Sequence, residues 1–241
     1  MGVGASDLAV LRLLQLADSG FPSGAYTLSH GLETLAASKA IGTTDDLVSF
    51  VRVNLLAKFA RSDLIALLAA HDASHDYVDA PDDDDRIGRI IAIDRRLTAT
   101  KIAADDRIGS ARVGLRLATE VARLAPSSAV SGFLGAIADR RTAGNAAVAF
   151  GLAGNALGVD ARLTALAASS AMVIGLAAAA VRLGLIGHGA AQRLIADAAR
   201  DIVAAVEMAG RGNWSDLRPS APQIEVALAA HETAATRQFA S

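Results

Sequence analysis

The chain holds 241 residues, 52% of them hydrophobic and 4% aromatic, with a formal net charge of −2; this is enough apolar material for one large core or two small ones. The slightly acidic balance argues against a nucleic-acid binder, which usually shows a basic face. With no cysteine, disulfides and thiolate metal sites are excluded.

Residues 1–7 carry no basic n-region, and Asp7 and Arg12 interrupt any apolar run, so no signal peptide is read and a cytoplasmic protein is expected. Leu8, Leu11, Leu14 and Leu16 lie close to one helical stripe and are expected to face a core. Asp18-Ser19-Gly20 stops that helix, Pro22 fixes its own φ, and Gly24 frees the chain to begin a second helix over 25–38. Thr44-Asp45-Asp46 reads as an N-cap followed by first-turn acids, opening a helix that carries Leu47, Phe50 and Val51. Ser62-Asp63 restarts the helix.

The most polar stretch is 71–85. Its Asp82–Asp85 run is expected to be a solvated helix entry, because it lacks the alternating ligands and glycine of a calcium loop. Two helices follow over 86–100 and 106–124, both rich in arginine, and Pro126 ends them. A short helix is expected over 131–141. The glycines of 144–158 fit neither a dinucleotide fingerprint nor a P-loop and are read as helix crossings. The uncharged stretch 163–181 approaches the length of a membrane span. It is mostly alanine, however, and is read as a helix buried by other helices. One helix is expected from Ala190 to about Ala209. Residues 210–222 form a Gly/Pro/Ser-rich linker holding Trp214, either a core anchor or a partner contact. A short apolar helix and tail complete 223–241.

The residues supply no catalytic constellation. His231-Glu232 has Ala235 where a zinc protease needs a second histidine, and there is neither a cysteine nucleophile nor a Gly-x-Ser-x-Gly elbow. His71 and His75, at i, i+4 spacing, make a weak divalent-metal pair that is outweighed by a solvated-surface reading. His30 and His188 are read as helix-end or interface residues. A binding or scaffold protein is therefore the better class, with Tyr26, Trp214 and Arg237 as interface anchors. The rival reading is a helical dimer that binds a small apolar ligand. A metal-dependent hydrolase built on His71, His75 and the aspartate run is the third.

Three stretches carry a family resemblance. The ordered set Gln15, Leu16, Asp18, Ser19, Phe21, Pro22, Gly24, Tyr26, Ser29, Gly31, Leu32 and Glu33 resembles the opening signature of the UreF family of urease accessory proteins. Arg182, Leu183, Gly187 and Gln192 match a later step, where Leu185 replaces a proline and His188 a glutamine. The end matches again, with Pro222, His231-Glu232, Arg237-x-Phe239 and a final serine. Phe150, Gly151, Leu157 and Gly158 match the family's middle step, but Asn145 or Ala146 stands where the family has a histidine. Any metal role of that histidine does not carry over.

The resemblance implies an all-α, UreF-like single domain over 1–241 of roughly ten helices, a linker near 210–222 and a partner-binding tail over 223–241. It implies a homodimer that binds UreD (UreH in some systems) on apo-urease and recruits the nickel-carrying GTPase UreG. Nickel then passes to the urease active site in a GTP-dependent step. It implies no catalytic, cofactor or metal residues in this chain, and neither nucleic acid nor membrane as a partner. Tyr26, Ser29, Gly31, Leu32, Glu33, Trp214, His231, Glu232, Arg237 and Phe239 are the expected partner-binding residues.

Overall fold

The computed structural model describes residues 5–75, 83–234 and 236–240, and every regular element among them is helical. The chain opens with α1 (Ala5–Ala17), a 3-10 turn (Ala25–Thr27), α2 (Leu32–Ala37) and α3 (Thr44–Val53). A π turn (Asn54–Lys58) and a 3-10 turn (Phe59–Arg61) lead into α4 (Asp63–His75). Then come α5 (Asp83–Thr100), α6 (Ala104–Leu124), α7 (Ser128–Ala138), α8 (Ala146–Ala156) and α9 (Ala161–Arg182). α10 (His188–Asp197), α11 (Ala199–Gly210), a 3-10 turn (Trp214–Asp216) and α12 (Pro222–His231) complete the order.

Two helices form the centre. α4 buries Leu64, Ile65, Leu67, Ala70, His71 and Ala73, and α8 buries Ala147, Val148, Leu152 and Ala153, so both are covered nearly all round. They pack on each other, with α6 and α9 on further sides of α8. The close approach depends on glycine. A Cβ on Gly151 would lie 2.2 Å from the Leu67 carbonyl oxygen, and one on Gly114 of α6 would lie 2.1 Å from the carbonyl oxygen of Gly144. Gly154 in turn admits the Thr164 side chain of α9. Gly151 and Gly154 are thus helix crossings, as expected, whereas Gly144 (φ 87°) and Gly158 (φ 72°) are left-handed positions flanking α8.

The helix ends follow ordinary capping chemistry. Thr43, one residue before the expected cap, closes a capping box with Asp46. Ser127 and Asp160 cap α7 and α9. α9 is long and apolar enough to cross a membrane, yet 56% of its apolar window is buried inside the protein, which fits the core-helix reading.

Three expectations need correction. The Leu8, Leu11 and Leu14 stripe faces outward, with Leu11 60% and Leu14 63% exposed. α1 packs on α9, and its inward residues are Ala9, Leu13 and Leu16. The helix is apolar on two faces, and only the partner decides which one is buried. The stretch 25–38 is not one helix, because His30 (φ 52°) and Gly31 (φ 88°) turn left-handed before α2 begins. The stretch 190–209 is broken at Ala198 into α10 and α11. Of the aspartate run, Asp82 lies outside the described residues, while Asp83–Asp85 open α5.

Gly151→Ala should destabilise the protein by about 1–3 kcal/mol, because the added methyl must push apart two backbones at the centre of the fold. The urea midpoint should fall accordingly. A Gly189→Ala control, where the nearest atom is the Arg193 side chain at 3.8 Å, should leave it nearly unchanged.

Candidate functional site

The first turn of α6 joins the two ends of the chain to the core. Asp105 and Asp106 both lie at this helix N-terminus, where negative charge is favoured. They point to different environments.

Asp106 faces inward. Lys58 of the π turn approaches it at 3.0 Å and Lys101, just after α5, at 3.4 Å. Lys101 also bonds Asp63 of α4 at 3.0 Å, and Lys58 also meets Glu225 of α12 at 2.7 Å. Ser62 donates to Asp63 at 2.8 Å. Lys58, Lys101, Asp63 and Asp106 are each less than 9% exposed. Burial pushes the Asp106 carboxyl up, but Lys101 and Lys58 outweigh it and hold it well below the usual carboxylate range. Burial pushes Lys101 down, but Asp106 and Asp63 outweigh it and hold its ammonium above the ordinary lysine value. His30 stands beside this network, and burial lowers it from 6.5 to about 4, helped by the two lysines and opposed by Asp106 and Asp63. Its imidazole is neutral at pH 7.

Asp105 faces the chain's end. His231 Nδ1 lies 2.9 Å from Asp105 Oδ2, and its Nε2 lies 3.1 Å from Glu33 Oε2. The Glu33 carboxylate also accepts from the backbone N–H groups of Gln238, at 2.7 Å, and Phe239, at 3.1 Å. Glu232 accepts from the Ala104 N–H at 2.6 Å and so ties α12 to the start of α6. Arg237 reaches Asp105 at 3.3 Å and donates to the Glu232 carbonyl. Phe239 is buried under the Arg182 guanidinium, 4.4 Å above its ring. Arg182 donates to the Tyr26 carbonyl at 2.6 Å, and the Ala240 N–H donates to the Thr27 carbonyl at 2.8 Å. The tail is therefore fastened to the opening signature.

The expected partner residues divide on this geometry. Glu33, His231, Glu232, Arg237 and Phe239 come together in one clasp. Ser29, Leu32, His231 and Phe239 are buried, and Gly31 packs its α-carbon toward Ala227 and Leu228 of α12. Tyr26 is 56% exposed and Arg237 is also exposed. Trp214 lies apart from the clasp and packs against the core, and its stretch is anchored by Arg218 N–H to Arg61 and Ser220 N–H to Ala57. Sequence reasoning missed the network of Lys58, Asp63, Lys101 and Asp106. Isolated charges inside apolar helical runs were the signal that could have pointed to it.

Among the described residues, no group of three or more His, Asp or Glu side chains is placed to hold a metal. His71 is buried, with its Nε2 on the Val159 carbonyl at 2.8 Å and its ring 5.1 Å from that of His75. Burial keeps its pKa below the ordinary histidine value. Asn145, one of the two residues that stand where the family has a histidine, is buried too. Its backbone N–H and side-chain amide bond Asp94, and the amide reaches Thr98.

Among the described residues the fold is all-helical, and its first and last motif stretches lock together. Comparison with known proteins makes the class specific. The UreF family model matches residues 41–199. The chain is 30% identical over 239 residues to the urease accessory protein UreF of Trichodesmium erythraeum, covering 96% of both. It is 28% identical to urease accessory protein UreF 1 of Brucella melitensis, covering 95% of this chain and 92% of the other. It is 29% identical to urease accessory protein UreF of Corynebacterium glutamicum, covering 95% and 96%. The chain belongs to the UreF family of urease accessory proteins.

Lys101→Met should destabilise the fold by about 3–5 kcal/mol, because Asp63 and Asp106 lose a buried counter-charge; chemical denaturation measures it. His30 sets an acid limb. Its folded pKa, about 4, lies below its unfolded value of 6.5, so the unfolded chain binds the extra proton first. Stability is then lost as pH falls from about 6.5 toward 4, by at most about 3 kcal/mol. His30→Asn, which tolerates the left-handed backbone, should flatten the dependence of Tm on pH across that window.

Proposed function

We propose that this chain is a non-catalytic adaptor in urease maturation. It bridges UreD- or UreH-bound apo-urease and the GTPase UreG, and so supports GTP-dependent nickel delivery to the urease metallocentre. In this reading it works in the cytoplasm as a homodimer. The observation that carries the proposal is the meeting of both terminal signatures of the family around Glu33 and the first turn of α6, within a chain that shares the family along nearly its whole length.

Two surface features support a binding role. The outward leucines of α1 form an apolar face on an otherwise well-packed protein, and such faces mark interaction sites. Exposed Tyr26 and Arg237 flank the clasp, and both residue types are favoured interface anchors. An adaptor acts by differential binding, so its effect on UreG rests on preferring one nucleotide state over another. The tail over 223–241, with the segment of Tyr26, Ser29, Gly31, Leu32 and Glu33, forms the UreD-facing part. Trp214 belongs to the same proposed set.

The test is genetic and biochemical together. Deleting the gene in the source cells, with nickel supplied, should leave urease subunits at normal levels without activity, and the intact gene should restore it. A chain truncated after Ala230 should fail to restore activity and fail to retain UreD in a pull-down, while circular dichroism shows retained helix. Undiminished urease activity in the deletion strain would overturn the adaptor reading; retention of UreD by the truncated chain would remove the tail from it.

A further inference from the structure

A cavity of about 730 Å³ lies between α9 and the elements that carry the buried charges. That volume is in the range of small-molecule sites. It exists because of what α9 presents. Ala171, Gly175 and Ala178 line it at near-helical spacing, and a Cβ on Gly175 would meet no atom within 4 Å. Val113, Leu117 and Phe150 supply apolar wall from α6 and α8.

The polar end is built around the π turn. Such turns are rare, and those that occur are frequent at functional sites. This one places Asn54 and Lys58 on the cavity lining, beside Asp63, Lys101, Asp106 and His30. Asn54 is only 3% exposed, yet its side-chain Nδ2 has no hydrogen-bond partner. A buried amide donor left unsatisfied is costly. The neutral His30 ring also borders the cavity.

The charges on the lining decide what kind of group the cavity accepts. Lys58 and Lys101 are already matched by Asp106 and Asp63 at 3.0–3.4 Å, and Glu225 backs Lys58 at 2.7 Å. Beside Asn54, an anionic head would face the carboxylates of Asp63 and Asp106, and a cationic head the ammonium groups of Lys58 and Lys101. At that end either charge would enter a low-dielectric site whose charges already pair with one another; Asp18 and Arg182 also line the cavity, outside that network. Outside that ion network, the lining offers an amide donor without a partner, on Asn54, and a neutral imidazole, on His30. A head that is uncharged, accepting at one atom and donating at another, fits both.

We propose that this cavity is a binding site for an uncharged amphiphile, its apolar chain along the small-residue face of α9 and its amide-like head on Asn54 and His30. The site is separate from the tail clasp and does not rest on the adaptor reading.

The test uses the full-length protein and three probes with one tail and different heads: octanamide, octanoate and octylamine. Calorimetry and thermal unfolding at neutral pH read the binding. Octanamide should bind saturably below about 10 mM and raise Tm by mass action. Octanoate and octylamine should bind at least about tenfold more weakly. Asn54→Leu, of similar size but without the donor, should weaken octanamide by about tenfold or more. Ala171→Phe, or Gly175→Leu if the former does not fold, should abolish binding by filling the space. No saturable octanamide binding, equal affinity for the three heads, or undiminished binding to the cavity-filled variant would each overturn the proposal.

Discussion

The structure depends on keeping one carboxylate, that of Asp106, charged inside the protein. Isolated burial of that charge would be prohibitive, so two lysines must reach it. Lys58 comes from the π turn after α3, and Lys101 from the end of α5. Each lysine must in turn be held, by Glu225 of α12 and by Asp63 of α4. Elements distant in sequence are thereby required to meet at the N-terminus of α6. Apolar packing supplies most of the stabilisation, but it is not directional; this network specifies which helix ends adjoin.

Packing around that point is set by what is missing from side chains. With few aromatics, the protein fills its centre by letting backbones approach, and Gly151, Gly114 and Gly154 are where they do so. The same economy on the outer part of α9 has the opposite effect. There the facing elements do not close in, because the charged cluster holds its own geometry, and a cavity remains. Small residues thus give both close backbone contact at the centre and open space beside α9.

The two ends of the chain carry residues that resemble family motifs, and the fold brings them together. Glu33 gathers His231 and two tail N–H groups, and Glu232 holds the first turn of α6. Adjacent aspartates on that turn divide the work: Asp106 anchors the core, and Asp105 anchors the tail. Whatever engages the tail therefore acts within one helical turn of the buried network.

The helical class, the positions of most caps and breaks, the role of Gly151 and Gly154 and the family were all legible in the order of residues. These are local: Ser127, Asp160 and Pro126 act on their own neighbours, and the family signature is an ordered set of residue types. Of the candidate site, the tail residues were legible and the ion network was not. Nothing local marks Lys58 and Asp106 as buried, because burial is a property of what packs over a residue. The two apolar faces of α1 were equivalent until α9 covered Ala9, Leu13 and Leu16 and left Leu11 and Leu14 outside. The break at His30 and Gly31 likewise required α12 to pack beside it. Local propensity fixes which segments are helices, but only the set of partners fixes which face is buried, which charges meet and where space is left over.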